Sequence, residues 1–202
     1  LNKETWKELD INVDSLWMIG PRAKGGKREN NYHGNFVPQI PDQMIRRYTP
    51  ENGIVLDMFM GSGTTLYEAE RLGRSYIGLD INEEIINYVR SKMDGSKAKY
   101  FIHNCDVTDS EQVSLTLSDD IIKLQNTGVD LVMSHPPYLD IVKFTDKKED
   151  LSNISDINAF IEKYTQSVKN VWHFLKKKQY FVLVIGDLWR NGEVIPLGFY
   201  LM

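Results

Sequence analysis

The stretch that most narrows what this chain can fold into is Ile54-Val55-Leu56-Asp57-Met58-Phe59-Met60-Gly61-Ser62-Gly63-Thr64-Thr65. Ile54 to Leu56 is aliphatic without polar alternation, the pattern of a strand covered on both faces. Gly61-Ser62-Gly63 interrupts it. A helix is then expected from Thr65 to Leu72, opened by small hydroxyls and closed by Gly73. A strand, a glycine turn and a helix direct backbone N–H groups into a cleft at the carboxyl end of a parallel sheet. Glycine at 61 and 63 lets a ligand approach the main chain where a Cβ would block it.

The same alternation continues downstream. Tyr76 to Asp80 reads as a second strand, and Asn82 can cap a helix whose Ile81, Ile85, Val89 and Met93 recur at helical spacing up to Gly95. Tyr100 to Ile102 is a third strand leading to Asp106. A polar helix over about Ser110 to Gln125 precedes a fourth strand, Val129 to Met133, which runs into His135-Pro136-Pro137-Tyr138. From Ser155 to Lys177 one apolar face predicts a long helix, with Lys176, Lys177 and Lys178 suiting the negative end of its dipole. Tyr180 to Ile185 is a fifth buried strand. Upstream, a short helix is expected over Gln43 to Tyr48, ended by Pro50 and Gly53. Strand alternating with helix predicts an α/β domain: a doubly wound, mostly parallel sheet with helices on both faces.

In such a sheet the residues past the strand ends share one crevice. Here they are Asp57 to Gly63, Asp80, Asp106, His135 to Tyr138 and Asp187. Four acids and a glycine turn suit an adenosine-like ligand, and no lysine follows the glycines as a phosphate loop would require. S-adenosylmethionine fits that rim, because it brings a sulfonium, an ammonium and a ribose but no phosphate. In His135-Pro136-Pro137-Tyr138, two prolines fix the backbone and supply no N–H, which leaves the carbonyls of His135 and Pro136 to accept from a ligand amine. Tyr138 offers a flat ring on which a base can stack.

With those residues in view, the chain resembles the amino-methyltransferases of DNA, which methylate N4 of cytosine or N6 of adenine. Asp57 to Thr65 is similar to that family's Asp-Pro-Phe-x-Gly-Ser-Gly-Thr-Thr motif, with Met58 replacing proline. His135-Pro136-Pro137-Tyr138 stands in the place of the Asp/Asn/Ser-Pro-Pro-Tyr/Phe motif. Phe36 to Ile45 resembles the segment that closes the methionine end of the cofactor pocket. The resemblance covers roughly residues 33 to 190 and implies a Rossmann-like S-adenosylmethionine-dependent methyltransferase fold. It implies cofactor contacts at Pro38, Pro41, Asp57, Phe59, Gly61, Ser62, Gly63, Thr64, Thr65, Asp80, Ile81, Asp106 and Val107, and catalytic roles for His135, Pro136, Pro137 and Tyr138. No metal is called for.

Two departures stand out. His135 replaces the family's Asp, Asn or Ser. A neutral imidazole keeps one acceptor nitrogen for the target amine and an imidazolium keeps none, so activity is expected to decline in acid as His135 protonates. Serine here is typical of cytosine enzymes and aspartate of adenine enzymes; the reading leans to cytosine N4. Second, the family's C-terminal hairpin is expected to be missing, and no room exists between the motifs for a target-recognition region. That region would lie after Met202 or in another chain. The chain begins at Leu1 and stops at Met202, so both ends are expected to be cut from something longer, with the catalytic domain at 33–202 truncated.

Residues 1–32 form an arm and a basic loop in this reading. Trp6, Leu9, Ile11, Val13, Leu16, Trp17 and Ile19 are too apolar for a tail and are expected to pack on the domain. The glycine-rich loop offers Arg22, Lys24, Lys27 and Arg28 to a phosphate backbone, as Lys143 would beyond the fourth strand. The net charge of −4 argues against a surface that grips nucleic acid all over, though not against a local basic cleft on double-stranded DNA. The single cysteine, Cys105, allows no disulfide within the chain and suits a reducing, cytoplasmic setting; no apolar run approaches the roughly 18 residues that span a bilayer, so no membrane partner is expected. Alternatives are an RNA-base or protein-glutamine methyltransferase, since both handle planar amines, and a non-catalytic cofactor- and DNA-binding subunit in which His135 marks decay.

Overall fold

Five segments pair side by side in the computed structural model, which describes residues 6–8, 10–28 and 32–202, with Trp6 described for its backbone alone. They are β1 (Ile54–Asp57), β2 (Ser75–Asp80), β3 (Tyr100–Asn104), β4 (Val129–Ser134) and β5 (Leu175–Leu183), and all are parallel, in the order β3-β2-β1-β4-β5. Parallel strands need crossovers, and four helices supply them: α2 (Thr64–Arg71), α3 (Glu83–Lys92), α4 (Ser110–Lys123) and α5 (Ile157–Trp172), while α1 (Gln39–Tyr48) precedes β1. Side chains alternate across the sheet, so each face grows its own core. Val55, Tyr76, Leu131 and Met133 pack under α1, α2 and α3. Ile54, Leu56, Ile77, Leu79 and Val132 pack under α4 and α5. A third cluster, built on Leu139, Leu151, Phe160 and Tyr164, lies beneath the segment that follows β4.

Local chemistry sets the helix starts. Asn82 accepts from the N–H groups of Glu84 and Ile85, Asp109 from Glu111 and Gln112, and Asp156 from Ala159. Gly63, left-handed at φ 83°, opens α2 one residue earlier than expected, and Gly73 (φ 69°) follows its end. α1 starts at Gln39, earlier than the expected Gln43, because a proline in the first turn has no intrahelical N–H to lose; Pro38 caps it and Pro41 sits within that turn.

One boundary differs substantially. α5 ends at Trp172, and the chain turns straight into β5 at Leu175, so Lys176 to Lys178 belong to a strand and not to the helix end. The Phe174 carbonyl accepts from Val129 N–H at 2.8 Å, and a Cβ on Gly128 would lie 2.6 Å from that carbonyl oxygen. The close approach requires glycine. Leu175 pairs with Val129 but Tyr180 with Leu131; the extra β5 residues form a bulge in which Lys178 is left-handed at φ 64°. Lys176 from this bulge bonds buried Asp130 at 2.8 Å, and the other Asp130 oxygen accepts from Ile54 N–H at 2.9 Å. Asp130→Ala removes both bonds and strands a buried N–H, so it should lower unfolding stability by about 3 kcal/mol, read by urea denaturation.

Beyond β5, Leu188–Arg190 (β6) and Glu193–Ile195 (β7) form a small antiparallel hairpin that does not join the main sheet, followed by a short helix, α6 (Leu197–Leu201). The sequence reading has no such hairpin. The N-terminal arm does lie on the domain, but mainly through polar groups: Gln43 bonds Asn12 N–H and the Asp10 carbonyl, while Arg46 and Arg47 reach the Asp10 and Asn12 carbonyls. Trp17 packs against the first core, whereas Val13, Leu16 and Ile19 stay exposed. Leu9 and the Trp6 side chain lie outside the described residues.

Candidate active site

The chain order reverses between β1 and β4, which are neighbours, so the crevice opens where both strands end. Asp57 lies opposite Met133, and Met58 N–H bonds the Met133 carbonyl at 3.0 Å. The glycine turn and the His-Pro-Pro-Tyr segment therefore leave the sheet side by side. A cavity of about 400 Å³ lies between them, within the range of small-molecule sites.

Of the residues expected at a cofactor, Phe59, Gly61, Ser62, Thr64, Asp80, Ile81, Asp106 and Val107 line this cavity, and His135, Pro136, Pro137 and Tyr138 line it too. Pro38, Pro41, Asp57, Gly63 and Thr65 are buried behind the wall and do not line it. Asp187 is exposed and also outside the lining.

Asp80 organises the turn. One oxygen accepts from Gly61 N–H at 2.7 Å and the other from Asn82 N–H at 2.8 Å. A carboxylate has about four acceptor positions, so both oxygens retain capacity for a ligand hydroxyl. Asp106 accepts from Thr108 N–H and Oγ1 at 2.8 and 3.0 Å. Buried Asp57 accepts from Phe59 N–H and faces the hydroxyls of Thr65 and Tyr76. Burial pushes both Asp57 and Asp80 up to about 6. Because the folded-state value is raised, each group favours folding most below the ordinary carboxylate value, and that contribution is lost as the pH rises through about 6. At neutral pH the protein holds two desolvated anions here.

The charge of the wall is one-sided. Asp80, Asp106, Glu149 and Asp150 line it, and no lysine or arginine does among the described residues. Ser62 Oγ and Thr64 Oγ1 are buried without a hydrogen-bond partner among the described residues at the same turn. Unpaired buried hydroxyls beside excess negative charge fit a polar, cationic ligand that carries hydroxyls, and they oppose a phosphate.

On the opposite wall His135 is enclosed. The Phe36 ring meets it edge-on at 4.8 Å, and its Nε2 lies 3.3 Å from the Tyr138 hydroxyl. Burial pushes the imidazole down to about 4, so it is neutral through most of the acid range. The acid decline expected from its protonation therefore moves well below its ordinary value of 6.5. Tyr138 faces the cavity with its hydroxyl held by Gly186 N–H at 3.0 Å. The next residue, Leu139, is fully buried and left-handed at φ 54°, a conformation uncommon outside glycine and asparagine, which fixes the corner after Tyr138.

Two wall segments escaped the sequence reading. Tyr32 to Asn35 cover the turn, with Tyr32 Cε1 3.3 Å from where a Cβ on Gly61 would sit. Residues 141–151 close the far side: Phe144 stacks on Tyr32 at 5.7 Å, its carbonyl accepts from Asn82, and Lys147 bonds the Ile81 carbonyl. Buried Asp150 holds this segment by accepting from Thr145 and Ser152. A local signal that could have marked this segment is Asp150, which caps the short turn at Leu151–Asn153.

The residues read as phosphate contacts are placed variously. Lys27 bonds Glu70 at 2.6 Å, and Arg28 bonds fully buried Glu68 at 2.6 Å, both on α2. Arg22 donates to the Phe36 carbonyl at 2.8 Å. Lys143 pairs with Asp146, and Lys24 is exposed.

Comparison with known proteins gives a family match to the DNA methylase model over residues 1–91, which includes the glycine turn and Asp80. Type II methyltransferase M.ScaI of Streptomyces caespitosus is 28% identical over 97 residues, covering 46% of this chain and 32% of the relative. Type II methyltransferase M.HpaI of Haemophilus parainfluenzae is 43% identical over 83 residues, 41% of this chain and 26% of the relative. The chain spans about a third or less of the length of these relatives. Among solved structures, a TehB-like SAM-dependent methyltransferase from Corynebacterium glutamicum matches 80% of this chain and 67% of its own at 14% identity, with a TM-score of 0.46. Over residues 1–91, a little under half of its length, the chain is similar to the DNA methylase family.

Proposed function

We propose that this chain carries the catalytic centre of an S-adenosylmethionine-dependent DNA methyltransferase that modifies an exocyclic amine, cytosine N4 ahead of adenine N6, in restriction-modification or related DNA marking. One observation carries the reading: a single cavity joins the acid-rimmed glycine turn to His135-Pro136-Pro137-Tyr138. The similarity to two Type II methyltransferases, M.ScaI and M.HpaI, supports it.

Bound S-adenosylmethionine supplies an electrophilic methyl on a sulfonium. Asp80 is suited to its ribose hydroxyls, Asp106 to its adenine side, and Ser62 and Thr64 to its polar groups. The target base, inside the stack in a duplex, must be flipped out at a cost of a few kcal/mol. Tyr138 returns about 1–3 kcal/mol by stacking. An exocyclic amine is a poor nucleophile because its lone pair is delocalised into the ring. The Pro136 carbonyl accepts one amine hydrogen and draws the nitrogen toward a tetrahedral geometry, while neutral His135 fixes the base edge. This is positioning and electrostatics, without a covalent intermediate. Cys105, buried and pushed up to about 12 by burial, takes no nucleophilic part. Target recognition is assigned to a further segment or a separate chain.

Asp80 gives a pH signature. A cationic ligand prefers the ionised carboxylate, so S-adenosylmethionine affinity should rise as the pH climbs from 5 toward 7 and level off above the Asp80 value of about 6. Calorimetric titration across that range checks it; a flat affinity refutes the contact. The function itself is tested by offering tritiated S-adenosylmethionine with DNA, RNA and protein in parallel. Label should enter DNA and digest to N4-methylcytosine. Label confined to RNA or protein favours the other amine substrates, and binding without turnover favours a non-catalytic subunit.

A further inference from the structure

We propose that Tyr138 is a positioning residue that sets the tautomer of His135, so that the imidazole offers the cavity an N–H donor in place of an acceptor. The Tyr138 hydroxyl has two hydrogen-bond neighbours among the described residues: Gly186 N–H at 3.0 Å and His135 Nε2 at 3.3 Å. The first can only donate. A phenol oxygen that already accepts from an N–H still has its own proton to give, and Nε2 is the acceptor within reach. Nε2 is then bare, and the single proton of the neutral ring sits on Nδ1. The opposite tautomer would make the phenol oxygen accept twice and leave its proton without an acceptor in a partly desolvated site.

The surroundings hold this relay in place. Phe36 encloses the imidazole from one side. Leu139, buried in the third cluster, fixes the main chain beside Tyr138, and Gly186 lies three residues past the end of β5. Nδ1 meets no protein partner among the described residues, while His135 lines the cavity, so Nδ1–H is left for a ligand.

The consequence for substrate rests on the methyltransferase reading above. With the Pro136 carbonyl on the amine, an Nδ1–H donor pairs with an unprotonated acceptor next to that amine. Cytosine N3 and adenine N1 are such atoms. An ionised aspartate in this place has only acceptors and could not make that contact. His135 thus selects an amine flanked by an acceptor, and the amine itself is left to Pro136.

The tautomer is read directly by long-range ¹H–¹⁵N NMR of the whole chain, with His135→Asn identifying the signal among four histidines. Wild type should show a protonated Nδ1 and a bare Nε2. Tyr138→Phe keeps the ring but removes the hydroxyl, and both nitrogens should move to the intermediate shifts of a tautomer mixture. A protonated Nε2 in wild type, or an unchanged tautomer in Tyr138→Phe, overturns the proposal. The substrate arm uses DNA with 3-deazacytosine or 1-deazaadenine at the target. Replacing the ring nitrogen by C–H should lower kcat/KM about tenfold in wild type and leave His135→Ala nearly indifferent. An equal loss in both proteins overturns the donor role. A protonated Nδ1 with no methylation of any DNA would leave the tautomer standing and refute the DNA reading alone.

Discussion

His135→Ala should slow methyl transfer to DNA on the order of 10²-fold while leaving S-adenosylmethionine affinity unchanged. The imidazole stands on the β4 side of the cavity, against Phe36 and Tyr138. Removing it takes a hydrogen bond from the base edge where the amine must be aligned, and misalignment at the reacting atom costs rate more than binding. Single-turnover kinetics with saturating cofactor, beside a calorimetric titration of the cofactor, separate the two. Unchanged turnover would remove His135 from the chemistry. Because burial pushes the wild-type imidazole down to about 4, any loss of activity near pH 6 belongs to the carboxylates and should persist in His135→Ser.

Asp80→Ala should have the reverse profile, with cofactor affinity falling about 10²-fold or more. The carboxylate receives Gly61 N–H and Asn82 N–H and faces the cavity, so its loss both loosens the turn and deletes the charge opposite the ligand. Charge-assisted hydrogen bonds contribute about 1.5–3 kcal/mol each, and 1.4 kcal/mol is tenfold. Asp80→Asn keeps one acceptor oxygen and should fall between. A thermal melt shows whether the variant is folded, and wild-type affinity in a folded Asp80→Ala would dismiss the assignment.

Much of the layout was legible because it is written locally. The aliphatic runs at Ile54, Tyr76 and Val129, each closed by a turn residue, announce buried parallel strands, and the hydroxyls after Gly63 and the cap at Asn82 announce the first two helices between them. The crevice followed, since parallel strands put their carboxyl ends on one side. The α5–β5 boundary was hidden for the opposite reason. Helical spacing runs on through Leu175, and the lysines that look like a helix end are taken into a bulge by Asp130, a partner 46 residues away. The arm misled similarly: its apolar residues suggest burial, yet Gln43, Arg46 and Arg47 hold it by its carbonyls and N–H groups. The wall made by Phe144 and Asp150 carried no motif, because its place depends on Asn82, 62 residues distant.

β5 is the outer strand of the sheet, with no strand beyond it among the described residues. Such a margin exposes a row of unpaired amides and carbonyls on which another molecule's extended segment could template itself. The kink at Lys178 and the exposed ammonium groups of Lys177 and Lys178 interrupt that row at its beginning. The irregularity that blurs the helix boundary also breaks the regular geometry that strand-on-strand pairing along this side would need.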